Sequence, residues 1–222
     1  MGVMQMTKKE EERFVKGAFE ALVTRGVAEH GMFTQSNVTQ QELDAFEERF
    51  GVKLPSLFRT YLSTYCYDFS VMCAPIPVDG LENAKESSEK WLWWIELLSL
   101  PKEEPLKNLY GLMESFREVC TNKELLGLTL ENVRNLVPIG EWDGTLCIDL
   151  SDGGLCSFSQ AEFDWKKAGY LDKNGIAHGI RRMADFKMLL ELYFYGKYDR
   201  AYEIQIAKNN EEKPDYTTYI HR

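Results

Sequence analysis

Six carboxylates fall between Glu141 and Asp164: Glu141, Asp143, Asp149, Asp152, Glu162 and Asp164. No Lys or Arg lies in those 24 residues, where 26 in 222 would place about three. An acidic stretch carrying Trp142 suits contact with a basic protein, because carboxylates steer the encounter and an aromatic ring anchors it. Glu141, Trp142, Asp143, Asp149 and Asp152 are therefore the candidate partner-binding residues. The competing reading makes Asp143 and Asp152 turn formers beside Gly144 and Gly153, with Trp142 in the core. Other chemistry is thinly supplied. The histidines are His30, His178 and His221. A hydrolase-type site would need His178 with a distant cysteine, and nothing in the spacing favours it. There is no G-x-S-x-G, Walker loop, H-E-x-x-H or G-x-G-x-x-G. Asp149 to Gly153 begins like a calcium loop, but its glycine is one place early and the twelfth position is not Glu. The five cysteines, Cys66, Cys73, Cys120, Cys147 and Cys156, show no C-x-x-C pair. They read as small core residues in a reducing compartment, not as zinc ligands or a disulfide framework. No metal, no cofactor and no catalytic residue is expected.

Charge and composition point the same way. The net charge is −9 and the pI about 5.0. Nucleic-acid binders show a basic face, whereas here the doublets Lys166-Lys167 and Arg181-Arg182 are short and the other cations scattered. No direct nucleic-acid contact is expected. An acidic surface attracts basic partners, or simply keeps a protein soluble. With 44% hydrophobic and 13% aromatic residues the chain can build a substantial core. No apolar run approaches the roughly 18 residues of a membrane span. Lys8 and Lys9 precede no apolar h-region, so a cytoplasmic protein is expected.

The elements that must position these residues follow from periodicity. Residues 7–30 predict a helix with Phe14, Ala18 and Leu22 on one face and a stop at His30-Gly31. Thr39 to Glu42 is a capping box, followed by Leu43, Phe46 and Phe50, and by Gly51 as a left-handed stop. After Leu54-Pro55, the residues Phe58, Tyr61, Leu62 and Tyr65 give the next helix its stripe. Pro75 and Pro77 restrict Val71 to Val78 to an edge strand or loop. Residues 81–100 predict a helix holding Trp91, Trp93 and Trp94, a cluster that reads as core or as contact surface. A further helix fits 106–120. From 136 the period becomes two: Leu136 to Ile139, then Thr145 to Leu150, then Leu155 to Phe158 after the turn Asp152-Gly153-Gly154. Alternation sends Leu146, Ile148 and Leu150 inward and Asp149 outward. Residues 180–195 predict a helix, 198–208 a helix or strand, and the tail from Asn209 is polar and loose. The organisation expected is one domain, with a helical extension over 1–36, a helical insertion over 81–135 and a tail over 209–222.

The segment Glu42-Leu43-Asp44-Ala45-Phe46-Glu47-Glu48-Arg49-Phe50-Gly51-Val52-Lys53-Leu54-Pro55, followed by Phe58 to Leu62, resembles the opening of the SUKH superfamily. This is the Smi/Knr group, whose founding members are fungal cell-wall-assembly regulators. Val137-Pro138-Ile139-Gly140 and Leu146 to Ser151 are similar to its strand pair, and Ile180 to Tyr195 to its late helix. The resemblance implies an α+β fold, a mostly antiparallel or mixed sheet with surrounding helices. It also implies a non-enzymatic, protein-binding role. Many bacterial members are immunity proteins that neutralise a toxin, often a nuclease, whereas fungal members are regulatory scaffolds. Nuclease toxins are commonly basic, which fits the acidic charge here. The leading expectation is thus an immunity protein for a basic toxin, the alternative a regulatory scaffold of the same fold.

Overall fold

The computed structural model describes residues 6–69, 71–73, 95–142, 144–159 and 161–196. Trp91, Trp93 and Trp94, residues 198–208 and the tail from Asn209 lie outside them. The first helix, α1 (Lys8–Thr24), starts in a capping box between Thr7 and Glu10. It stops at Thr24, short of His30-Gly31, because Gly26 turns the chain at φ 72°; His30–Met32 forms a separate 3-10 turn. Next come α2 (Gln40–Phe50) and α3 (Ser56–Leu62). Thr39 and Glu42 form the expected box, and Gly51 caps α2 at φ 64°. The short strands β1 (Thr34–Gln35) and β2 (Tyr65–Cys66) pair antiparallel across α2 and α3, so Tyr65 belongs to a strand rather than to the α3 stripe.

The Glu42–Pro55 segment is held by one carboxylate. Buried Glu47 accepts from the Leu54 backbone N–H at 2.9 Å and from Lys53 Nζ at 2.6 Å. It also lies 2.7 Å from Arg59 of α3. These contacts fix the angle between α2 and α3 across the Leu-Pro step.

Six strands then form an antiparallel sheet in simple sequence order: β3 (Val71–Cys73), β4 (Ile95–Leu97), β5 (Leu136–Glu141), β6 (Thr145–Asp149), β7 (Gly154–Phe158) and β8 (Ile180–Met183). The protein is therefore α+β, as the resemblance implies. β3 is an edge strand. Two helical expectations fail here. Residues 95–97 are strand within the span read as helix over 81–100, of which 81–94 lie outside the described residues. Residues 180–183 are strand within the span read as helix over 180–195. Ile180 and Met183 are three apart, a spacing that mimics a helical face over so few residues. The last helix, α5 (Phe186–Leu189), starts only after Asp185 caps it with its carboxylate to the Met188 N–H at 2.7 Å. It runs into a π-helical turn, Leu190–Phe194. Between β4 and β5 runs α4 (Lys107–Thr121), with Leu109, Met113, Phe116 and Cys120 buried as expected.

Both faces of the sheet are covered. The larger cluster takes Val137 and Ile139 of β5 and Leu146 and Ile148 of β6, under α1, α2, α3 and the last helix. The smaller cluster takes Cys147, Cys156 and Phe158 from the opposite face, and covers them with Trp165, Tyr170 and Ala177. Those three come from the irregular stretch 159–179, which carries no periodic signal. Gly140 marks a close approach. A Cβ on Gly140 would collide with the Glu96 carbonyl of β4. The register shifts between Pro138 and Gly140, and that bulge is what admits a proline to an inner strand. The first helix joins the larger cluster through Val15, Ala18, Phe19 and Leu22. Its buried Glu11 accepts from Ser56 and Thr60 of α3 at 2.8 and 3.0 Å. Arg25 donates to the carbonyls of Tyr193 and Phe194 at 2.7 and 2.8 Å. Cys66, Cys120, Cys147 and Cys156 are buried and free. No described helix is long and apolar enough to cross a membrane.

Candidate partner-binding site

The β5–β6–β7 meander carries the five residues singled out from the sequence, and the structure separates them. Glu141 ends β5 and is exposed; its register partners are Glu96 of β4 and Thr145 of β6. Trp142 opens the turn but is only 6% exposed. Its ring meets Tyr193 edge-on at 5.8 Å between centroids and lies 5.5 Å from the Arg182 guanidinium. The expectation that the turn presents Trp142 is therefore corrected: the indole fills the gap between sheet and last helix. Asp143 lies outside the described residues. Asp152 is half exposed, accepts from the Gly154 N–H at 2.9 Å, and pairs with Arg181.

Asp149 is also corrected. Alternation does place it opposite Leu146 and Ile148, but that face is the one under the smaller cluster, and Asp149 is 0% exposed. A buried carboxylate must be satisfied by donors, and here it is. The Ser151 N–H and hydroxyl donate at 3.0 and 2.6 Å, and His178 Nδ1 lies 2.6 Å away. His178 Nε2 lies 3.8 Å from Asp172, so both ring nitrogens face carboxylates. The N–H of Ile176 foremost, then groups of Asn174 and the His178 ring, hold the Asp172 carboxyl below its ordinary range against the effect of burial. This arrangement ties the end of β6 to the 170s loop. Sequence reading missed it, since Asp149 and His178 are 29 residues apart and only the glycines flanking His178 marked the loop as constrained. It also missed that β8, lying beside β7, returns Arg181 and Arg182 to a stretch free of cations in sequence. Among the described residues, no group of three His, Cys, Asp or Glu side chains could hold a metal.

The carboxylates left without a cation lie elsewhere. Two adjoining hollows of about 390 and 300 Å³ run between α4 and the sheet. They share Leu112, Ser115 and Thr145. Glu96 and Glu141 line the first, and Glu162 lines the second. Among the described residues no Lys, Arg or His lines either hollow, and none of the three glutamates has an ion-pair partner. Glu96 and Glu141 sit opposite each other in register, which like charges disfavour.

No curated protein sequence matches the chain closely enough to count as a relative. The family model described as SMI1 / KNR4 family (SUKH-1) matches residues 37–164. That span runs from the α2 capping box, through the Glu47 clamp and α4, to the loop that covers the smaller cluster. It is more than half of the 222 residues, and the chain belongs to the SMI1/KNR4 family, SUKH-1.

Proposed function

We propose that the protein is a non-enzymatic, cytoplasmic binding domain that acts as an immunity protein, neutralising a basic toxin, of the nuclease kind, by direct contact. Family membership is compatible with that role. The observation that carries the reading is the set of glutamates, Glu96, Glu141 and Glu162, that line the hollows beside α4 with no ion-pair partner among the described residues, in a chain of net charge −9. A basic partner gains association rate from such a surface. The test is genetic first. A basic nuclease-toxin domain taken as the partner should arrest growth when expressed alone, and co-expression of this chain should restore it. The purified pair should associate more slowly as salt passes about 0.15 M, where the Debye length is about 8 Å. No arrest, or arrest without rescue, argues for the regulatory scaffold instead.

A further inference from the structure

The two hollows differ in character, and their order along α4 specifies a ligand. The end nearer the start of α4 is polar and acidic, lined by Glu96, Glu141 and Asn108. The other end is apolar, floored by Phe116 and Trp165 and rimmed by Val119 and Phe163. Phe163 is 62% exposed and Val119 46%, although each borders a space deep enough to shelter a ring. Exposed apolar side chains clustered about a hollow mark contact sites more often than single ones do. Along α4 the residues lining the acidic end are centred near Gly111 and those lining the apolar end near Phe116. Five helical residues at 1.5 Å each separate them by about 7.5 Å.

Resting on the binding reading above, we infer that this groove is the docking site for a segment of a basic protein that carries an aromatic or large aliphatic anchor and a Lys or Arg about 7.5 Å from it. The anchor enters between Phe163, Val119 and Phe116, where it removes apolar surface from water. The cation lies between Glu96 and Glu141 and relieves their cross-strand repulsion. In an extended segment that separation is about two residues; in a helix it is about five. Charge complementarity fixes the class of occupant, because an acidic or purely apolar segment would leave both glutamates facing each other unrelieved.

The test needs no toxin. A phage-displayed library of random twelve-residue peptides is selected on the full-length chain, and recovered peptides are measured by fluorescence anisotropy. The expected peptides share an aromatic or branched aliphatic residue and a Lys or Arg at one of those two spacings. Phe163→Ser and Glu141→Lys should each weaken them at least tenfold, while Glu48→Lys on exposed α2 surface leaves them unchanged. All three side chains are exposed, so unchanged melting temperatures separate lost contact from lost fold. Peptides without that pattern, or peptides bound equally by Phe163→Ser and Glu141→Lys, overturn the inference. A dimer in sedimentation that Phe163→Ser dissociates overturns it too, since the groove would then be a self-contact. Peptide binding without rescue from any such toxin would instead overturn only the immunity role.

Discussion

Asp149 and Glu141 are eight positions apart in one acidic run, yet the structure gives them opposite duties. Asp149 spends its lone pairs on Ser151 and His178 inside the protein, so Asp149→Asn should cost about 1–3 kcal/mol, the penalty for unsatisfied buried partners, read by urea denaturation. Glu141 ends a strand in solvent. Glu141→Gln should shift stability by less than about 0.5 kcal/mol while slowing association with a basic partner. An equal stability loss from both variants would contradict this division. Gly140 is constrained by a neighbour and not by its own torsions, since a methyl there meets the Glu96 carbonyl. Gly140→Ala should therefore destabilise by about 1–3 kcal/mol through overpacking, visible as a lower urea midpoint.

The elements that sequence reading placed correctly are those whose signals are local. The capping box at Thr39 and the glycine stop at Gly51 act over four or five residues, and α2 and α4 begin and end near where the pattern put them. Strands β4 and β8 escaped because three or four residues cannot distinguish a period of two from one of 3.6. The misplacement of Asp149 has another origin. Its alternation was legible, but the layer covering its face comes from residues 159–179, whose Trp165, Tyr170 and Ala177 follow no period. The Glu47 clamp, by contrast, sits inside the recognised motif and gives it a pH signature. Burial raises its affinity for a proton, but donors from Lys53, Arg59 and the Leu54 N–H outweigh that and leave its carboxyl below the ordinary glutamate range. The folded state thus binds this proton less readily than the unfolded chain. Its stabilisation is present above the unfolded value of about 4.3 and is lost as pH falls through the depressed folded value. Urea midpoints of the wild type should fall across that window more than those of Glu47→Gln, and parallel curves would refute the clamp.

Across the whole molecule, α1 is wired to both ends of the fold. Glu11 reaches α3 and Arg25 reaches the carbonyls of the π-helical turn, while Phe19 and Leu22 enter the larger cluster. Limited proteolysis should not release residues 1–36 and leave a remainder of unchanged melting temperature; such a remainder would show that α1 is a dispensable appendage. The smaller cluster holds three thiols, Cys120, Cys147 and Cys156, with Cys147 and Cys156 facing each other in register on β6 and β7. Burial pushes the Cys120 thiol up to about 12 and the Cys147 and Cys156 thiols well above the ordinary thiol range, so in the closed state they hold almost no reactive thiolate. The layer over the sheet therefore carries its own clock. A thiol-labelling reagent reaches Cys147 and Cys156 on the sheet once the layer holding Trp165, Tyr170 and Ala177 has lifted away, and the labelling rate counts those excursions in the native protein. If the layer moves as a unit, the sulfurs of Cys147 and Cys156 are captured at one shared rate, and a groove occupant resting on Trp165 and Phe163 slows both together.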